Sequence, residues 1–141
     1  MKRLLGAGLF FVWVGSGLHS TYTIADELNQ VAGEGISFSR QVIPVLRTRC
    51  AVCHMTGTEP GNMRLFPSAA YDSIVGAESV STGRLLVSAG NPDESYLLHK
   101  IRGTHLDMGG EGSRMPQGQA PLSQEVITLI EMWVAQGAER N

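Results

Sequence analysis

The sequence predicts a small all-α domain, a few short helices joined by long loops, and three observations predict it. The chain has 141 residues, room for one domain and not two. Apolar residues recur at helical spacing in segments beginning near Phe38, Pro92 and Leu122. Seventeen glycines and six prolines in so short a chain point to long stretches of loop. A formal net charge of −2 excludes the strongly basic footprint of a nucleic-acid binder. A small domain with this much loop usually needs an additional staple, such as a cofactor.

The first segment, 1–20, reads as an export signal: Lys2 and Arg3, an apolar run from Leu4 to Val14, then the small residues Gly15, Ser16 and Gly17. The run is shorter than the roughly 20 residues a membrane-spanning helix needs, which favours a cleaved signal over a retained anchor. The expected location is the periplasm or another exported compartment. Residues 21–36 are polar and without periodicity, a leader or linker, and the domain proper is expected over 37–141.

From Phe38, the residues Val42, Val45 and Leu46 share one helical face, and Pro44 either starts this helix or bends it. The segment Met55 to Pro67 reads as loop. A short helix follows, with Ser68 as its cap and Ala69, Ala70, Tyr71, Ile74 and Val75 inside it. In the next, Asn91 caps, Pro92 takes the first helical position and Glu94 completes a capping box. It runs to about Ile101 with Leu97, Leu98 and Ile101 on one side, which turns His99 toward solvent. In the last helix Ser123 caps, Val126, Ile127, Ile130, Trp133 and Val134 form the apolar stripe, and Gly137 ends it. Trp133 in such a stripe reads as packing.

Only two cysteines occur, and they stand in Cys50-Ala51-Val52-Cys53-His54, the attachment sequence of c-type haem. Two thiols at this spacing can add to the two vinyl groups of one porphyrin, and the next residue then brings an imidazole to the iron. Three other readings compete. A structural disulfide would close only a very small loop. A thioredoxin-like dithiol would follow a strand, and a helix precedes this motif. A zinc site would have to recruit His54 and a further histidine.

The long segment from Arg102 to Pro121 carries no secondary-structure signal, and loops of that length are usually functional or disordered. It contains Arg114-Met115-Pro116. Iron held by one imidazole needs a partner on its other face, and a soft, neutral thioether suits an electron carrier. Met115 is the chosen distal ligand, its backbone restricted by Pro116. The competing reading is a methionine that fills an apolar gap, and His105, Met108, His99, Met63 or an open site are the alternatives at the iron.

The helix before Cys50-Ala51-Val52-Cys53-His54, the Asn91-Pro92-Asp93 helix start, Arg114-Met115-Pro116 and the closing helix ending Trp133-Val134-Ala135-Gln136-Gly137-Ala138 together resemble the monohaem cytochrome c family over Phe38 to Ala138. The resemblance implies a cytochrome c-like fold wrapped around one haem c. Its first and last helices would cross, Cys50 and Cys53 would form the thioethers, and His54 and Met115 would be the axial ligands. Pro60 and Pro67 bracket the place where such proteins often carry a proline whose carbonyl orients the histidine. The segment Met63 to Leu86 is longer than in the smallest members and looks closer to cytochrome domains attached to larger redox enzymes.

The function expected is electron transfer to redox partner proteins, with iron cycling between ferrous and ferric states. No residue near the motif reads as a general base, so no enzymatic turnover is expected. Two alternatives stand: a haem-based sensor of small ligands, and a subunit through which electrons enter a membrane-associated respiratory or dehydrogenase complex.

Overall fold

The computed structural model describes residues 35–141. The expected export signal, 1–20, lies outside the described residues, as does the leader up to Glu34. Among the described residues the regular structure is helical and no strand forms. Among these residues no helix is long and apolar enough to cross a membrane.

Helix α1 comprises the contiguous segments Phe38–Val42, Ile43–Val45 and Leu46–Cys50. Its first and last segments have the wider, π-type turn, visible in the bonds from Val42 N to Ser37 O and from Ala51 N to Leu46 O. Pro44 lies between them. Lacking an N–H, it cannot complete the ordinary ladder, and its ring crowds the carbonyl four residues back. The chain passes through it by widening rather than by stopping. Wider turns also bring every fourth residue into line, so Phe38, Val42 and Leu46 are all buried along one stripe that leads to Cys50. Val45, expected on that stripe, is only half-buried.

Helix α2, Ala70–Ile74, is shorter than expected. Ala69 rather than Ser68 occupies its N-cap, and no side chain caps it. The segment after it folds onto itself through two isolated bridges, Val75 with Val87 and Glu78 with Leu85.

The helix expected from Asn91 is broken in two. Pro92–Glu94 makes one tight turn, Ser95 is extended, and helix α3 runs Tyr96–Arg102. Asn91 makes no capping bond. Its carbonyl instead accepts from the buried Ser95 hydroxyl, which also accepts from Ser88 N, while the amides of Tyr96 and Leu97 donate to Leu85 and Leu86. These bonds take the donors that a continuous helix would have used.

Helix α4, Gln124–Ala135, follows its periodicity: Ile127, Ile130, Trp133 and Val134 are buried and Val126 half-buried, Ser123 holds the N-cap position without a side-chain capping bond, and Gly137 turns the chain out with φ 102°. α4 packs against both α1 and α3. Phe38 stacks on Trp133 with ring centroids 5.1 Å apart and meets Tyr71 edge-on at 5.3 Å. Trp133 Nε1 donates to Glu139 O, and Tyr71 Oη to Ala138 O. Ile36, the last residue of the expected leader, already packs on this core and donates its amide to Gln136 Oε1.

Trp133→Ala should therefore cost about 3–5 kcal/mol, through lost contact area and the cavity left beside Phe38. Denaturant unfolding of the full chain measures it, and a loss under about 1 kcal/mol would show that this ring does not hold α1 to α4.

Candidate functional site

The motif occupies the turn that leaves α1. Cys53 N and His54 N both donate to Cys50 O, at 3.1 Å each. Ala51 is buried under the turn, and His54 O accepts from the amide of buried Leu65. Cys50 is half-buried at the helix end and Cys53 and Val52 are exposed, so the turn is anchored on one side and open on the other.

Both thiols are free. Burial pushes Cys50 up to about 11 against a smaller opposing pull from Arg49. A thiol held protonated is a poor nucleophile, the opposite of what a catalytic dithiol requires. Among the described residues no group of three or more histidine, cysteine or acidic side chains gathers to hold an ion, so the zinc reading finds no donor set.

His54 is buried, and burial is the largest influence on it, lowering its pKa and favouring the neutral imidazole that a metal ligand must be. The Pro60 carbonyl and the Glu59 charge pull the other way. Of the two prolines that bracket this place, Pro60 is the one whose carbonyl faces the ring. The Gly61 backbone lies against the same edge: a Cβ there would stand 3.6 Å from Cε1 and 3.7 Å from Nδ1, and φ is 95°. Nδ1 is fully buried and unpaired among the described residues, the Pro60 carbonyl falling short of a hydrogen bond. With Nδ1 turned to backbone, Nε2 is the nitrogen left for a metal. Glu59 fixes the turn below by accepting from Thr56 N, Thr56 Oγ1 and Gly57 N. A bond from its own amide, the largest influence, acts with these to hold its carboxyl down to about 2.

Met115 is half-buried against the hydrophobic core. Its segment is not free chain: Met115 N donates to Lys100 O, Lys100 Nζ donates to Glu111 O and Ser113 O, and His105 Nε2 donates to Gly112 O. Beyond Met115, Arg49 donates to Gln119 Oε1 at 3.1 Å and Ala120 O at 2.6 Å. The residue next to Cys50 thus ties the loop of Met115 to the end of α1.

The alternative ligands differ in what they are free to do. His99 is not solvated as expected; its Nε2 donates to Asp93 O and its Nδ1 pairs with Thr104 Oγ1, so both ring nitrogens are in use. His105 is buried and staples its own loop, with Nδ1 unpaired. Met63 Cε borders Gly61 beside the His54 ring, which puts it alongside that imidazole rather than opposite it. Met108 is half-buried on the core.

A covalently held, iron-bearing macrocycle fits the residues present: two free thiols at the required spacing, a buried imidazole with one nitrogen turned to backbone, and a thioether on a tethered loop. No family model, curated protein or solved structure matches the chain. The reading therefore rests on these residues alone. Sequence reasoning missed Lys100 and Arg49, whose contributions come from bonds to segments distant along the chain, and Gly61, which meets His54 through the turn between them.

Arg49→Ala should lower stability by about 1 kcal/mol, since two partly exposed bonds are lost, and should speed hydrogen exchange in residues 117–120 while sparing α1. Unchanged exchange there would show that the tether to Gln119 and Ala120 is incidental.

Proposed function

We propose that this domain is a monohaem c-type cytochrome: it carries one haem c bound through Cys50 and Cys53, with His54 and Met115 as axial ligands, and passes single electrons between partner proteins. The observation that carries the reading is Cys50-Ala51-Val52-Cys53-His54 set on a turn with both thiols free and the His54 Nδ1 edge buried against the Pro60–Gly61 backbone. Bound haem supplies a reversible couple between ferrous and ferric iron.

The residues divide the work. Cys50, at the buried end of the turn, and Cys53, at its exposed end, fix orientation and prevent loss of the group. Gly61 adopts the left-handed φ of 95° that brings its backbone against the imidazole edge, a conformation that a side chain at that position would strain. Thioether ligation by Met115 favours the reduced iron relative to a second imidazole and raises the potential. Exposure of Val52 leaves the attachment turn accessible to a partner.

Purified full-length protein should show a low-spin haem spectrum, undergo reversible one-electron reduction, and keep its haem through acid-organic extraction. Met115→Ala should turn the ferric haem at least partly high-spin and open it to exogenous ligands, and Met115→His should restore low-spin iron at a lower potential. Haem that extracts freely from the wild-type protein would reject covalent attachment. High-spin conversion by His105→Ala, with Met115→Ala silent, would assign ligation to two histidines and leave electron transfer standing. A wild-type ferrous haem that is five-coordinate and binds carbon monoxide without displacing a ligand would favour the sensor.

A further inference from the structure

We propose that Lys100 is the positioning residue for the Met115 thioether, clamping the loop from both sides of α3's last turn. The inference rests on Met115 being an axial ligand.

Met115 lies in a segment with no helix or strand of its own, yet an axial ligand must be held closely in place. Lys100 meets that need twice. Its carbonyl belongs to the last turn of α3, where carbonyls lack an intrahelical donor. The amides of Gly103 and Thr104 both turn back to His99 O, which leaves Lys100 O to accept from Met115 N at 2.9 Å. Its ammonium reaches over the segment leading to Met115 and donates to Glu111 O at 3.0 Å and Ser113 O at 2.9 Å. Bonds from a charged donor are stronger than neutral ones, and partial desolvation of the ammonium lowers its pKa.

The clamp is attached to something rigid. Leu97, Leu98 and Ile101 flank Lys100 and are all buried, so α3 cannot shift without opening the core. The adjacent contact reinforces it: the alkyl stem of Arg114 lies across Gly103, where a Cβ would stand 3.0 Å from Arg114 Cδ. Other ties to this loop act elsewhere. His105 reaches only Gly112, and Arg49 reaches Gln119 and Ala120, beyond Met115.

The test uses the haem-loaded full chain with Lys100→Met, which keeps a chain of similar length and removes the donors, and Lys100→Arg, which keeps the charge. In Lys100→Met the ferric absorption band of the iron–thioether bond should weaken, and added imidazole should displace Met115 about tenfold more readily, as expected for losing bonds to a charged group. Lys100→Arg should recover most of both. In the wild type, the Met115 amide should exchange at least about tenfold more slowly than that of Gln117, a measurement independent of whether the variants fold. An unchanged band and imidazole affinity in Lys100→Met, or equal exchange at Met115 and Gln117, would overturn the clamp while leaving Met115 as ligand. A silent Met115→Ala would instead remove the ligand assignment and the clamp with it.

Discussion

The stacking of Phe38 on Trp133 is the contact on which the presentation of the site depends. It joins the first turn of α1 to the last turn of α4, and Tyr71 closes the third side. From there the buried stripe Phe38, Val42 and Leu46 runs down α1 to the turn that carries Cys50, Cys53 and His54. The geometry of the motif is therefore set more than ten residues away from it. A turn of five residues has too few bonds of its own to fix two thiols and an imidazole. Its direction comes from the helix it terminates, and the direction of that helix comes from the aromatic contact.

What the sequence made legible was what depends on local spacing. The stripe of α4, its Gly137 stop and the packing role of Trp133 follow from a period of 3.6 and one glycine, and the structure has them. The motif could be read because its chemistry lies within five consecutive residues. The elements that differ do so where long-range bonds outweigh local preference. Asn91, Pro92 and Glu94 form a sound capping pattern, yet Leu85 and Leu86 claim the amides of Tyr96 and Leu97, and Ser95 stays extended. The turns on either side of Pro44 widen, an adjustment that periodicity does not reveal.

The same distinction separates the proposed ligands. His54 follows from its place after Cys53. Met115 follows from the chemistry of a thioether and the proline beside it, and nothing local explains how an irregular segment would hold it. The explanation lies in residues with no motif: Lys100 on the polar side of α3, and Arg49 beside the cysteine, each bonding backbone carbonyls far along the chain. His99 shows the reverse case. Its helical phase turned it toward solvent, but a carbonyl and a hydroxyl from the helix ends take both its nitrogens.

The central claim is that Cys50 and Cys53 are not thiols in the mature protein but thioether sulfurs of one haem. Intact-mass measurement on denatured protein, purified from a host with haem-attachment machinery and treated with a thiol alkylating reagent, tests it most directly. The result expected is the mass of the polypeptide plus one haem, with no alkyl group added. A bare polypeptide carrying two alkyl groups would contradict the account.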